Sequence, residues 1–403
     1  MELLREGRWR LLLVCWLGWL FDLYTLVLYN VLQAPISKEL GFDDRTNAWI
    51  NGLSMLATAA GGIGVGWLAD HVGRRFAFLV SVATYAAGSA LTALAWDFPS
   101  MLVLRLLTGL GVGGEWGVGQ AVVAENLPDH LRGRAAGILQ AGSPMATALA
   151  ALVSGLLVAP LGWRGCFALS SLCLLMVPAA LLVIPRGRLP EDQRGRMAEL
   201  FAGDLLRPSL VVFLLLTLNM AGYWCTYTFF YKYLENDLHQ TRDFILKVQL
   251  VISTGQLAGN VSFGFFADRF PRRSVFTAYS LLFAIGALAV ALFFKPLSEH
   301  VVLLVAATTA VGIGAGNWAC FGALFGDLFP ARVRGVASSG FYNVSRGIQL
   351  VTLQVVVGLA QWAAIPAGQS GLFLGALFTA AAAVAAFLLP RVTATPPGGR
   401  WTR

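Results

Sequence analysis

Charged residues are scarce in this chain. Asp, Glu, Lys and Arg make up 12% of its 403 residues, whereas apolar residues make up 57%. A soluble chain of this size carries about a quarter charged residues, so the composition excludes an ordinary soluble domain and indicates a membrane protein.

Residues that bind nucleotides or metals in recognisable patterns are also lacking. The sequence has no phosphate-binding glycine loop followed by Lys-Ser or Lys-Thr, which argues against an ATP-driven pump. Its four histidines have no second His or Cys at ligand spacing, and its five cysteines lie inside apolar runs without metal or disulfide spacing. We therefore expect neither an enzyme nor a metal site, and no cofactor beyond a coupling proton.

The net charge is +8, and its distribution is informative. Basic residues form short clusters between apolar runs and not a continuous face, so we expect no nucleic-acid partner. The clusters follow alternate apolar runs, as the positive-inside rule requires of cytoplasmic loops. This pattern places both termini in the cytoplasm, predicts an even number of spans, and suits a multi-pass protein of the cell (inner) membrane.

Apolar runs of about 20 residues, the length of one membrane-spanning helix, occur twelve times. The predicted fold is an all-α membrane protein of two pseudo-symmetric six-helix bundles, residues 1–185 and 208–392, with a cytoplasmic linker at 186–207 and a cytoplasmic tail at 393–403. The predicted spans are 10–33, 47–69, 76–96, 99–126, 132–158, 163–185, 208–233, 244–267, 273–294, 299–327, 333–362 and 369–390.

Two short cassettes recur at nearly one offset and support this division. GWLADHVGRR at 66–75 returns as GFFADRFPRR at 264–273, a displacement of 198 residues between the two aspartates. ENLP at 125–128 with its following Arg-Gly returns as DLFP at 327–330, displaced by 202. The second offset also aligns Glu115-Trp116 with Asn317-Trp318, so the second half keeps the indole and loses the acid.

The cassettes, the 6 + 6 layout and a glycine-rich fourth helix, Arg105 to Gly117, resemble the major facilitator superfamily. Three local patterns resemble its organic-acid/proton symporter branches, which carry sialate, monocarboxylates or aromatic acids: GWLFD at 18–22, GGEWG at 113–117 and YNVSR at 342–346. The last pattern departs from that branch, which more often has glycine where Ser345 stands. The resemblance covers essentially the whole chain and implies alternating access between two halves.

Four ionisable residues fall inside predicted spans: Asp22, Arg105, Glu115 and Arg346. Each costs about 2.5–3.5 kcal/mol at a helix centre and needs a partner or a wet cavity. At about 1.5 Å per residue, Asp22 lies about 18 Å from the cytoplasmic face and Arg105 about 10 Å below the outer face. In a core about 30 Å thick these depths nearly coincide, so we hypothesise that the two residues pair or exchange partners. A permanent packing ion pair is the alternative.

Glu115 suits a proton carrier, because apolar surroundings disfavour a charged carboxyl; the alternative is a glutamate that hydrogen-bonds nearby backbone and never titrates. Arg346 suits the substrate's carboxylate, which a planar guanidinium grips with two parallel hydrogen bonds; the alternative is an ion pair with Asp22 or Glu115 in the empty protein. Candidate cavity-lining residues are Tyr24, Trp116, Gln140, Tyr227, Gln256, Asn317, Trp318, Tyr342 and Asn343.

The resemblance implies a gating role for the cassettes. Their acids would approach helix starts in the opposite half, where the helix dipole favours an anion, and their arginines would pair with Glu125 and Asp327. We interpret both cassettes as a latch that stabilises the outward-open state; the alternative is that the arginines only set orientation. The latch residues are Asp70, Arg74, Arg75, Glu125, Arg132, Asp268, Arg272, Arg273, Asp327 and Arg334.

Taken together, these features predict a proton-coupled symporter that imports a small organic anion by alternating access, as a monomer in a lipid bilayer. A proton antiporter that exports drugs or metabolites would use the same acids. A membrane receptor or scaffold is a third possibility, but it needs no charges inside the membrane.

Overall fold

The computed structural model describes residues 8–127, 135, 137–186, 197–267 and 269–389. All regular structure in these ranges is helical, as predicted. Ten helical segments within them are long and apolar enough to cross a membrane. One of these, Gly137–Val183, is 47 residues long and is divided by a backbone break at Gly162 into two spans, and the 33-residue helix Ala331–Ala363 adds another. The described residues therefore contain the twelve spanning helices that the apolar runs predict.

The first six helices follow the predicted order. A backbone break at Gly162, whose φ of 64° suits glycine, separates the fifth helix from the sixth. The sixth continues through a 3₁₀ segment, Leu169–Leu175, into Met176–Val183. The helices are α1 Arg8–Val31, α2 Asp44–His71, α3 Arg74–Leu91, α4 Phe98–Asn126, α5 142–161 and α6 163–183.

The second six helices repeat this arrangement. The sequence predicts a continuous tenth helix. In the structure this helix is interrupted by a 3₁₀ segment, Ala315–Trp318, before it resumes as Ala319–Leu328. The helices are α7 Leu206–Thr228, α8 Arg242–Ala267, α9 Arg272–Glu299, α10 Val301–Leu328, α11 Ala331–Ala363 and α12 Ala367–Ala385.

Short helical segments lie outside these twelve. Gln33–Leu40 follows α1 and ends at Gly41, whose φ is 72°. A π-helical turn, Tyr233–Asp237, follows α7. Within the predicted linker, Met197–Phe201 and Gly203–Leu205 form 3₁₀ turns. The predicted tail, 393–403, lies outside the described residues.

Glycines let corresponding helices cross closely in both halves. A Cβ at Gly61 or Gly113 would overlap carbonyl oxygens across the α2–α4 crossing. A Cβ at Gly259 or Gly316 would overlap backbone atoms across the α8–α10 crossing in the same way. Small residues permit such approach between membrane helices, which gain little from excluding lipid. The repeat seen in the sequence is therefore also a repeat in packing.

The two halves meet along two helix pairs, α2 with α11 and α5 with α8. We call the end of the bundle that carries segments 66–75 and 264–273 the cassette face, and the other end the opposite face. Because α2 begins at Asp44 and α8 at Arg242, both residues lie at the opposite face.

Replacing Gly113 with alanine should destabilise the fold, because the new methyl would overlap the backbone oxygen of Thr58. Overpacking of this kind costs about 1–3 kcal/mol, so the thermal midpoint of the purified protein should fall. Gly64→Ala is the matched control, since no atom lies within 4 Å of its added Cβ. Equal midpoints for the two variants would contradict the close crossing.

Candidate functional site

A buried arginine on α11 forms the centre of the site. The side chain of Arg346 is 1% exposed. Its Nη2 donates to the hydroxyl of Tyr342, one helical turn away, at 2.9 Å, and its guanidinium carbon lies 4.8 Å from the centroid of that ring. Its Nε has no hydrogen-bond partner among the described residues. One face of the cation is therefore held by an aromatic ring, and one donor remains available for a further acceptor.

Three aromatic rings surround Tyr342, the partner of this arginine, and the four rings together join the two halves. Tyr342 stacks on Trp116 of α4, with ring centroids 4.6 Å apart and planes inclined by 23°. Trp19 lies 6.4 Å and Trp318 lies 6.1 Å from the Tyr342 centroid. We call Trp19, Trp116, Trp318 and Tyr342 the aromatic cluster; two members belong to each half.

Asp22 is fully buried on α1, and its two carboxyl oxygens have no hydrogen-bond partner among the described residues. It is close enough to Arg346 and to Glu115 for their charges to interact. The structure therefore brings together the two acids and the arginine that the sequence analysis singled out.

The hypothesised pair between Asp22 and Arg105 is wrong for this conformation. Arg105 Nη1 instead donates to the carbonyl oxygen of Thr25 at 3.0 Å, and its guanidinium carbon lies 5.3 Å from the ring centroid of Tyr29. Thr25 and Tyr29 are three and seven residues beyond Asp22, which is about 5–10 Å along α1. A difference in position of this size along α1 is enough to change the partner of Arg105.

Glu115 faces the interior of the first half and not the seam between the halves. A Cβ at Gly18 of α1 would lie 2.5 Å from Glu115 Oε1 and 2.7 Å from Phe78 Cζ, so the absence of a side chain there makes room for the carboxyl. The hydroxyl of Tyr85 donates to the carbonyl of Gly18 at 3.4 Å. Glu115 is 0% exposed, and its oxygens have no partner among the described residues.

Three further residues that were predicted to line the cavity lie in different surroundings. Asn343 donates to the carbonyl of Ser339 at 3.0 Å and lies against Gly62 at the α2–α11 contact. Tyr227 is buried, its hydroxyl has no partner among the described residues, and its ring lies 4.5 Å from that of Tyr223. Gln140 is partly exposed.

Two predicted lining residues lie away from the arginine. Asn317 donates to Asn219 at 2.7 Å and to Ser280 at 3.0 Å, inside the second half. Tyr24 lies beside Ser170 and Cys173 of α6. Sequence reasoning missed Trp19, Gly18 and Tyr85 as neighbours of the charged residues; Gly18 and Trp19 stand within the GWLFD pattern, which could have pointed to them.

Polar bridges close the opposite face between the halves. Lys232, which follows α7, forms a 2.9 Å ion pair with Asp44 at the start of α2. Gln33 donates to the carbonyl of Thr228 at 2.8 Å. Arg242 donates to Ser154 at 3.2 Å and forms a 2.6 Å ion pair with Glu235. The sequence analysis expected inter-half contacts at the cassette face and did not anticipate these.

At the cassette face, the described pairs lie within each half. Asp70 pairs with Arg74 at 3.0 Å, and Arg272 pairs with Asp327, one of the pairs that the sequence analysis considered.

Other latch residues contact backbone or a ring. Arg75 donates to the carbonyl of Leu181. Arg334 donates to the carbonyls of Gly326 and Phe329 at 3.0 and 3.3 Å. The Arg273 guanidinium carbon lies 5.8 Å from the Phe387 ring. Arg132, Asp268 and the side chain of Glu125 lie outside the described residues.

Comparison with known proteins agrees with this architecture. The profile of the Major Facilitator Superfamily matches residues 14–246 and 212–402. A probable 4-methylmuconolactone transporter of Cupriavidus pinatubonensis is 26% identical, over 83% of this chain and 79% of the relative. A cis,cis-muconate transport protein of Acinetobacter baylyi is 26% identical, over 83% of each chain. The crystal structure of a D-xylose-proton symporter superposes with a TM-score of 0.74 at 17% identity and covers 96% of this chain and 99% of that one.

Adding a methyl group at Gly18 should disturb Glu115. We expect Gly18→Ala to lower the thermal midpoint, by an amount that corresponds to about 1–3 kcal/mol, because the methyl meets the carboxyl and Phe78. In a Glu115→Ala background the same substitution should cost less, since part of the conflict is gone. Gly66→Ala, whose Cβ meets nothing within 4 Å, is the control. A cost independent of residue 115 would contradict the contact.

Removing the Lys232 side chain should loosen the opposite face. Spin labels at the exposed positions 45 and 236 report the separation of the two halves there, and Lys232→Ala should shift their distance distribution toward longer values. Lys247→Ala is the matched control, because its pair with Asp243 lies on one helix and both side chains are about 70% exposed. An unchanged distribution in Lys232→Ala would show that the bridge does not hold the face closed.

Proposed function

Because this chain belongs to the Major Facilitator Superfamily and is a multi-pass membrane protein, we propose that it is a secondary active transporter that imports a small organic anion together with protons. The observation that carries the proposal is Arg346: a guanidinium that is 1% exposed, with a donor lacking a partner among the described residues, at the seam between the two halves. A site that both halves share is where alternating access exposes a substrate to each side in turn.

Arg346 is the proposed anchor for the substrate's carboxylate. A planar guanidinium binds a carboxylate with charge-assisted hydrogen bonds, which are stronger than neutral ones. Its contact with Tyr342 fixes the cation in place before the substrate arrives, which reduces the ordering cost of binding. The relatives' names support an anionic substrate, since muconate is a carboxylate.

Asp22 and Glu115 are the proposed proton carriers. Their carboxyl oxygens have no hydrogen-bond partner among the described residues, and Asp22 lies within charge-interaction range of Arg346. An arriving anion adds a negative charge beside Asp22, and a proton taken up by Asp22 leaves the net charge of the site unchanged. Anion and proton then cross together, because an uncompensated charge inside the membrane is costly.

Arg105 takes a different role from the one first expected. Its contacts with Thr25 and Tyr29 hold the outer part of α1 against α4. We assign Arg105 the role of positioning α1, the helix that carries Asp22. In this assignment Arg105 does not exchange charge directly with Asp22.

The orientation follows from the basic clusters. The cassette face and both termini are assigned to the cytoplasm, and the protein to the cell (inner) membrane as a monomer. The halves are assigned to residues 1–185 and 208–392, joined by a linker at 186–207.

In this conformation the opposite, outer face is bridged by Lys232 and Arg242. The cassette latch would then stabilise the alternate state, in which those bridges are broken.

Two substitutions separate coupling from binding. Asp22→Asn should abolish accumulation of substrate against its gradient but retain exchange of labelled for unlabelled substrate, because the site persists while one proton carrier is lost.

Arg346→Lys should weaken binding by at least tenfold, since an ammonium cannot reproduce the planar fork of a guanidinium. Counter-flow and proton-driven uptake in proteoliposomes, with a panel of labelled organic acids, measure both properties.

The direction of flux tests symport against export. An imposed inward proton gradient should drive uptake; efflux under the same gradient would identify an antiporter. If Asp22→Asn still concentrates substrate, Asp22 does not couple protons. The absence of flux for every organic acid would overturn the proposed function itself.

A further inference from the structure

The two seams between the halves differ in chemistry. At the α2–α11 seam, small and apolar residues lie in contact: a Cβ at Gly52 would lie 2.6 Å from Leu350 Cδ1, and a Cβ at Gly347 would lie 3.0 Å from Ala59 Cβ. At the α5–α8 seam, hydrogen bonds between side chains join the halves. The second seam is therefore the one at which polar groups of the two halves meet inside the membrane.

The hydrogen bonds of the α5–α8 seam begin at the opposite face and continue deeper into the bundle. Arg242 Nη1 donates to the hydroxyl of Ser154 at 3.2 Å. The hydroxyls of Thr147 and Ser253 lie 3.0 Å apart, and these two residues are 2% and 4% exposed. Because the position falls along α5 as it rises along α8, the two helices are antiparallel at this seam.

Polar residues of α8 share one face. We call this set the α8 stripe: Arg242, Gln249, Ser253, Gln256 and Asn260. At about 100° per residue, their spacing keeps all five within about 60° of one another. Since Ser253 meets Thr147 of α5, the stripe follows the face of α8 that is turned toward the seam.

A matching set lies on the other side of the seam. We call it the α5 stripe: Gln140, Ser143, Thr147 and Ser154, of which Gln140 stands in the helical turn before α5. Their spacing also keeps them within about 60° of one face. Polar side chains of membrane helices form hydrogen bonds across helix contacts, so two facing stripes indicate a polar contact surface between the halves.

Only part of the α8 stripe is paired in this conformation. Gln249 accepts from the hydroxyl of Tyr231 and donates to Ser253 at 3.0 Å. Toward the cassette face, the amide nitrogen of Gln256 and both side-chain polar atoms of Asn260 have no partner among the described residues, and Gln256 is 2% exposed. Buried polar groups are almost always paired in proteins. Gln256 and Asn260 therefore indicate partners that this conformation does not supply.

The antiparallel register identifies those partners. Counting from the contact between Thr147 and Ser253, seven residues along α8 lead to Asn260, and seven residues back along α5 lead to Gln140. Three residues along α8 lead to Gln256, and four residues back along α5 lead to Ser143. At about 1.5 Å per residue, Asn260 and Gln140 lie about 10 Å nearer to the cassette face than the Thr147–Ser253 contact.

We propose that the α5 and α8 stripes form a polar zipper whose two ends close alternately. In this conformation the zipper is paired toward the opposite face. In the alternate state the cassette end closes, with Asn260 hydrogen-bonded to Gln140 and Gln256 to Ser143, while the bond between Arg242 and Ser154 is broken. This inference rests on the proposed function, because it requires two states of one transporter.

The zipper has an energetic consequence. Hydrogen bonds lost at one end are replaced by hydrogen bonds gained at the other, so neither state leaves both ends of the stripes unpaired. Two states of similar free energy are both populated, and a substrate or a proton can then shift the balance between them.

Disulfide cross-links at the two ends test the zipper. At the opposite face, Gly155→Cys with Leu246→Cys should cross-link readily in this conformation, because a Cβ at Gly155 would lie 3.2 Å from Leu246 Cβ. At the cassette end, Gln140→Cys with Asn260→Cys should cross-link only as the alternate state forms. The five native cysteines are buried, and each single-cysteine variant controls for their reaction. Both pairs are oxidised in proteoliposomes, with and without the panel of organic acids.

The separation of the halves at the opposite face reports which state each cross-link holds. Spin labels carried by p-acetylphenylalanine at positions 45 and 236 do not react with thiols. The cross-link between positions 140 and 260 should shift their distance distribution to longer values, and the cross-link between positions 155 and 246 should keep it short. A reductant should reverse both effects.

Asn260→Leu tests the amide without a cross-link. This substitution removes an unpaired group from the present conformation and a hydrogen bond from the alternate one, so the long-distance fraction should fall by about two- to tenfold, the change that one hydrogen bond corresponds to. Gln354→Leu is the matched control. It removes another amide whose nitrogen has no partner among the described residues, from α11, which does not belong to this seam.

The outcomes separate the zipper from the proposed function. Absence of the 140–260 cross-link under every condition, or a cross-link that leaves the 45–236 distances short, would overturn the zipper, and so would equal effects of Asn260→Leu and Gln354→Leu. Substrate counter-flow by the unmodified protein would leave the proposed transporter standing in each of these cases. Absence of flux for every organic acid would overturn the proposed function even if the two cross-links hold opposite states.

Discussion

A cation buried among apolar helices constrains the rest of this structure. Arg346 is 1% exposed inside a membrane-spanning helix, where a charged side chain costs about 2.5–3.5 kcal/mol by insertion scales. The surroundings compensate by contact with the Tyr342 ring and hydroxyl and by the nearby carboxyl of Asp22. Compensation at the seam comes from both halves, so the charge balance of the site depends on how the halves are arranged. That dependence is what a coupled transporter requires.

Much of the fold could be predicted from the sequence because its signals are local. Runs of about 20 apolar residues mark spans, and the duplicated cassettes at 66–75 and 264–273 mark the halves. The break at Gly162 falls between the predicted fifth and sixth spans, where only a tight turn fits. The 3₁₀ segment Ala315–Trp318 was not predictable from hydropathy, since hydropathy marks an apolar run and does not distinguish a 3₁₀ turn from an α-helical one.

The residues of the candidate site could be predicted from the sequence, but the contacts that they make could not. Asp22, Glu115 and Arg346 stand out because ionised groups are rare in apolar runs, and the structure places all three in the interior. Their partners depend on rotation about each helix axis and on offsets of a single turn, which spacing does not determine. Arg105 therefore contacts Thr25 and not Asp22. The sequence does not predict the bridges of Lys232 and Arg242, because they join residues nearly 200 and 90 positions apart.

The adjacency of Glu115 and Trp116 on α4 has a mechanical consequence. Consecutive residues of an α-helix point about 100° apart, and here the carboxyl faces Gly18 inside one half while the indole faces Tyr342 across the seam. The backbone between them is stiff, so a twist of α4 that withdraws the indole must also swing the carboxyl. A movement of α4 that displaces Trp116 from Tyr342 therefore also displaces Glu115 from its place beside Gly18.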